Sequence, residues 1–289
     1  MSYKPELVFC GPVTTVSGYG SHARDLVLSL IRMDKFRIKI LSINWGNTPM
    51  NALDENNPEH KQILDLIEPG PLQSQPDIWI QCTIPNEFQP VGRYNIGVTA
   101  GIETDICSGE FVEGCNRMNM IIVPSNHAKW VFENTQYEKR DKQTNQVVGV
   151  VKLEVPCEVL HEGVRTDIYG IEKKYSEDVN TQLDEIKENF AFLFVGHWMK
   201  GDFGQDRKDV SGLIHTFFET FGDTPNPPAL VLKTSSGTFS VTDRSRIIDK
   251  VNLIKHMSKK KTLPNVYVLH GDLNEEEMNT LYNHPKIKA

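Results

Sequence analysis

Short β-rich runs alternate with segments of helical period along this 289-residue chain, and that alternation constrains its fold more than any other feature. The runs are Leu7–Cys10, Arg37–Ile43, Asp77–Cys82, Tyr94–Thr99, Met120–Pro124, Cys157–His161, Phe190–Gly196, Ala229–Lys233 and Val266–His270. Between them, Ser21–Met33, Asn126–Asn134, Asp209–Phe221, Asp243–Met257 and Glu275–Tyr282 place apolar residues three and four apart, the spacing of one helix face. Such alternation reads as a mainly parallel sheet with helices on both faces, an α/β fold of doubly wound type.

The polar stretch from Thr166 to Asn189 interrupts this rhythm. It places a domain boundary near residue 175, giving domains 1–175 and 176–289. Glu138–Gln146 reads as a mobile surface insertion. The second series holds only about three strands where a doubly wound domain carries five or six, so this domain reads as incomplete. Another buried strand is expected to begin at His284–Ala289.

Composition narrows the function. The N-terminus lacks the apolar core of a secretory signal, and no apolar run reaches the roughly 20 residues of a membrane span. The five cysteines are odd in number and scattered, as in a reducing cytoplasm. A net charge of −7 argues against capture of nucleic acid, which needs a basic face. Lys259–Lys261, the one basic run, reads as a solvated loop.

Gly18-Tyr19-Gly20-Ser21-His22-Ala23 has the G-x-G-x-x-A shape of a dinucleotide fingerprint. That fingerprint needs its first glycine at the strand end, whereas here the strand ends near Gly11. Nor does the second strand end in a ribose-binding acid, since Asn44 and Trp45 follow Ile43. The nicotinamide reading loses both supports. What remains is a glycine turn before a helix from Ser21, where amides can face an anion, or where the glycines only let the chain turn.

Three later stretches carry more information. Met120-Ile-Ile-Val-Pro-Ser125 is a strand with a helix N-cap behind it, Val159-Leu-His-Glu-Gly-Val164 a strand running into a glycine turn, and Phe192-Leu-Phe-Val-Gly196 a buried strand followed by Arg207-Lys208 before a helix. With Ser17–Gly20, Leu230–Thr234, Asn265–Gly271 and Glu276–Tyr282, their order resembles the family 4 retaining glycosyltransferases of the GT-B fold, over nearly the whole chain. Two departures stand out: His197 occupies the place of an arginine after the "V-G", and the resemblance puts the family's Glu-x7-Glu motif beyond the position where this chain ends.

The resemblance implies two Rossmann-like domains facing a cleft, the second truncated before that motif. It implies transfer of a hexose, with retention, from a nucleotide diphosphate sugar to a glycan or lipid-linked acceptor, with peripheral membrane contact as one option. By the same resemblance Gly18, Gly20, Gly196, His197, Lys233, Gly271 and Asp272 bind the donor, while Glu103, Arg207 and Lys208 are catalytic. Arg207 offers a planar fork and Lys208 a point charge to a departing diphosphate. For each of these there is a bland alternative: Arg207 and Lys208 as a surface pair, Glu103 as a solvated loop carboxylate, Lys233 as the partner of a structural carboxylate. No His/Cys/Asp cluster has metal-ligand spacing and no Asp-x-Asp pair of a metal-dependent transferase occurs, so neither metal nor cofactor is expected. Asp202-Phe-Gly204 spells a kinase tripeptide without the His-Arg-Asp stretch and is coincidental. The competing reading is a non-catalytic binding module or an inactive fragment of such an enzyme.

Overall fold

Glu6–Gly11 (β1) is buried at every position, as a strand covered on both faces must be. Side chains of successive residues point to opposite faces, so Leu7 and Phe9 enter one apolar layer and Val8 and Cys10 the other. The computed structural model describes residues 3–288 apart from 142, 172, 174 and 200–202. It divides into two compact units, Met1–Gly163 and Val164–Ala289.

In the first unit, β1 leads to α1 (Gly18–Met33), β2 (Arg37–Ser42), α2 (Pro58–Leu64), β3 (Ile78–Cys82), β4 (Tyr94–Val98), α3 (Gly109–Cys115), β5 (Met120–Val123) and α4 (Asn126–Asn134). A hairpin of β6 (Gln136–Arg140) and β7 (Val147–Lys152) precedes β8 (Cys157–Val159). The sheet is parallel, in the order β2-β1-β3-β4-β5-β8. One layer gathers Phe9, Val27, Ile40 and Ile63, the other Trp79, Ile121, Val131 and Phe132. Each such fully buried side chain stabilises by about 1.5–3 kcal/mol relative to exposure.

The supposed mobile insertion is the turn and outer strand of the antiparallel β6–β7 hairpin. Charged residues mask its alternation because β6 is exposed throughout. Tyr137 anchors it by donating from its hydroxyl to the Cys107 carbonyl at 2.6 Å.

The second unit contains α5 (Glu177–Asp184), β9 (Ala191–His197), α6 (Val210–Phe221), β10 (Ala229–Ser235), α7 (Val241–Met257), β11 (Val266–Leu269) and α8 (Glu275–Asn283). Its parallel sheet runs β11-β10-β9, with central β10 buried throughout. Helix α5 lies inside the polar stretch. Ser176 caps it, and Val179, Leu183 and Ile186 bury its one apolar edge. The amides of Gly170 and Ser176 donate to Asn279 Oδ1 and Thr280 Oγ1 of α8, which ties this stretch to the second unit. Near the C-terminus, Ala191 N donates to the Lys286 carbonyl and Lys288 N to the Ala191 carbonyl, so the chain pairs with the start of β9. Lys286 Nζ caps the C-terminal end of α5 through the carbonyls of Leu183, Asp184 and Ile186.

Candidate functional site

The candidate residues sit at the C-terminal ends of parallel strands, where loops leave an α/β sheet and ligands bind. In the first unit, helix α1 starts at Gly18, three residues before the expected Ser21, because Ser17 is an N-cap that accepts from Gly20 N at 2.9 Å. Gly18 and Gly20 therefore form the first helical turn and not a turn ahead of the helix. Their roles differ. A Cβ on Gly20 would lie 2.3 Å from the Thr15 carbonyl oxygen, so close backbone packing requires that glycine. A Cβ on Gly18 would meet nothing within 4 Å. No acidic side chain occupies this first turn, which leaves the positive end of the α1 dipole unopposed by its own helix.

Tyr19, between the two glycines, organises this edge. Its ring stacks on Trp45 beyond β2, its hydroxyl lies 3.0 Å from Thr99 Oγ1, and Ala100 N donates to it at 2.9 Å. Burial raises the Tyr19 pKa, and Glu103 adds a smaller push in the same direction, which places that carboxylate in the same field. Glu103 is exposed on the loop after β4, and His127 contacts the neighbouring Thr104 carbonyl at 3.2 Å.

In the second unit, Gly196 and His197 end β9, with Thr234 and Ser235 beside them on β10. His197 Nδ1 lies 3.1 Å from Ser235 Oγ. A Cβ on Gly196 would stand 3.1 Å from the Phe194 ring and 3.7 Å from Lys208 Cδ, so the glycine leaves room for the lysine stem. Lys208 and Arg207 are exposed just ahead of α6. The amides at that helix start have acceptors already: Val210 N donates to Asp206 Oδ1 and Gly212 N to Asp209 Oδ1. Positive charge here comes from the two side chains more than from the helix end.

Lys233 has a partner that sequence reading did not find. Its Nζ donates to the Gly271 carbonyl at 2.5 Å and lies 5.2 Å from the Phe239 ring centroid. Burial lowers its pKa, opposed by the carboxylates of Asp272 and Glu277. Beside it, His270 Nε2 and Asp243 Oδ2 are 3.0 Å apart in a buried pair, and Ser236 N donates to the same carboxylate oxygen. Burial would raise the Asp243 pKa, but the His270 and Ser236 hydrogen bonds outweigh it and hold the carboxyl below its ordinary value. Sequence periodicity passed over Tyr19, Phe239, Asp243 and His270 because their roles depend on which loops meet. Asp202 lies outside the described residues.

Gly196, His197, Lys208, Lys233 and Gly271 thus share one strand-end edge of the second unit, whereas Gly18, Gly20 and Glu103 belong to the first. A cavity of about 400 Å³ beside the outer edge of β11, between α5 and α7, contains none of these residues. Among the described residues, no group of three His, Cys, Asp or Glu could hold a metal, and no helix is long and apolar enough to cross a membrane.

No protein-family model matches the sequence, and neither does any curated protein. Solved structures do match. Anabaena HepE in complex with UDP-glucose superposes with a TM-score of 0.51 at 11% identity, covering 96% of this chain and 71% of that one. The fold is GT-B. OtsA in its apo form matches with the same TM-score at 10% identity, over 96% of this chain and 75% of that one. Both neighbours are GT-B glycosyltransferases, and the two Rossmann-like units of the chain are those of this fold.

Proposed function

We propose that the chain binds a nucleotide diphosphate sugar at the strand ends of the second unit and transfers its hexose, with retention, to a glycan or lipid-linked acceptor. The observation that carries this reading is the GT-B fold shared with HepE, whose structure contains UDP-glucose, over 96% of the chain. The clustering of Gly196, His197 and Lys208 at the end of β9 supports it. Membership of glycosyltransferase family 4, metal-independent chemistry without a cofactor and a cytoplasmic setting are parts of the same proposal.

Transfer loads negative charge onto the departing diphosphate while the anomeric carbon becomes cation-like, so fixed positive groups at the leaving group lower the barrier. Arg207 holds phosphate oxygens with its planar fork, and Lys208 adds charge from a stem packed against Gly196. His197, where the resemblance leads one to expect arginine, donates a hydrogen bond from its ring to a phosphate oxygen. Glu103, in the field of Tyr19, receives the acceptor hydroxyl or stabilises the sugar cation.

Calorimetric titration with UDP, GDP and ADP tests the reading. One nucleotide is expected to bind, and Arg207→Ala or Lys208→Ala to weaken it about tenfold, as loss of a charge-assisted hydrogen bond would. Failure of the folded chain to bind any of the three overturns the proposal.

A further inference from the structure

An ammonium buried to 9% exposure is costly unless it orders something, and what Lys233 orders is two loops at once. Its Nζ grips the Gly271 carbonyl in the β11–α8 loop and faces the Phe239 ring in the β10–α7 loop. Phe239 meets His270 edge to face with centroids 5.9 Å apart. His270 pairs with Asp243, and Asp243 accepts from Ser236 N, which returns the chain of contacts to the first residue after β10. The circuit closes on itself without any ligand.

The two loops that these contacts hold carry no Lys or Arg, and the exposed charge beside Gly271 is the Asp272 carboxylate, which repels a diphosphate. Gly271 adopts φ +147°, and the position of its missing Cβ looks into open space, so a flat ring can approach the backbone there. Phe239 is half-buried beside it. The exposed positive charge of this edge, from Arg207 and Lys208, stands ahead of α6 beside the end of β9. Diphosphate recognition therefore belongs at β9, and aromatic base recognition at the two loops beyond β10 and β11.

We infer that Lys233 is a positioning residue that locks the Phe239 and Gly271 loops into one wall for the nucleotide base, and that it does not ligate the diphosphate. This rests on the nucleotide-sugar reading given above. The Gly271 contact occupies one of the three ammonium protons and the positioning role uses it as it stands, while Arg207 and Lys208, exposed beside the end of β9 where Lys233 is buried, are the cations open to the diphosphate.

The full chain is titrated with UDP, GDP, ADP and inorganic pyrophosphate, as wild type, Lys233→Met and Phe239→Ala. Lys233→Met keeps the apolar stem and removes the ammonium. It is expected to weaken the bound nucleotide about tenfold while leaving pyrophosphate within about twofold. Phe239→Ala alters only a loop side chain, should show the same split, and decides the matter if Lys233→Met does not fold. Equal losses on nucleotide and pyrophosphate would make Lys233 a phosphate ligand and overturn the inference, as would wild-type nucleotide affinity in both variants. A wild-type chain that binds pyrophosphate as well as any nucleotide has no base wall, which also overturns it. Binding of neither instead removes the proposed function itself.

Discussion

The Tyr19 ring stacks on Trp45 with centroids 4.1 Å apart and an interplanar angle of 26°, joining the first turn of α1 to the segment beyond β2. The hydroxyl of the same tyrosine ties in the end of β4 through Thr99 and Ala100. Tyr19→Phe keeps the stack but strips a partner from both, and should destabilise the first unit by about 1 kcal/mol. Tyr19→Ala loses the stack as well and should cost about 1 kcal/mol more. Urea unfolding followed by tryptophan emission measures both, and an unchanged midpoint in Tyr19→Phe would show that the hydroxyl contacts contribute nothing.

The glycines on either side of Tyr19 should respond in opposite directions. Gly20→Ala puts a methyl group 2.3 Å from the Thr15 carbonyl and must push β1–α1 backbone aside, at about 1–3 kcal/mol. Gly18→Ala meets no neighbour and removes a helix-disfavouring glycine, so it should be neutral or stabilising by up to about 1 kcal/mol. Thermal melts of the two variants provide the comparison. A similar loss in both would mean that Gly18 is as constrained as Gly20.

Much of this was legible because apolar periodicity reports burial directly. Buried β1 and β10 and the amphipathic α4 and α6 declare themselves in sequence, since each residue's layer follows from its place in the period. Helix α5 was not legible: two apolar residues in eight, set among acids, bury a single edge against a neighbour that only the fold supplies. The β6–β7 hairpin was hidden for the converse reason, because an exposed strand has no need of alternation. In the candidate site, Gly196, His197 and Lys208 were placed by motif order, and the structure brings them together. The partner of Lys233 was not, because a carbonyl 38 residues away leaves no side-chain signal in sequence.

Acidification should weaken the second unit through His284. Burial lowers its pKa, against the opposing pull of Asp184, and its Nδ1 accepts from Lys286 N, which fixes the neutral tautomer with Nε2–H toward Asp184. The unfolded chain, with an ordinary histidine near pKa 6.5, then binds more protons than the folded one between 6.5 and the lower folded value. Stability contributed by this group is present above 6.5 and lost as pH falls through that window. Urea midpoints at about pH 7.5 and about pH 5.5 should fall with acid in wild type and fall less in His284→Gln. An equal drop in both would assign the acid sensitivity elsewhere.

Asp209 offers a test of how charge is arranged at the start of α6. It caps the helix from the left-handed region, at φ 45°, and places a carboxylate next to Arg207 and Lys208, where the proposed diphosphate would sit. Asparagine caps as well as aspartate and tolerates the same backbone region, so Asp209→Asn should leave the thermal midpoint nearly unchanged. It also removes one negative charge from the site. Nucleotide affinity should therefore rise about two- to fivefold, an electrostatic gain that shrinks as salt screens it. Calorimetry at low and high ionic strength would show the difference. Unchanged affinity at low salt would move the diphosphate away from the α6 start and toward His197.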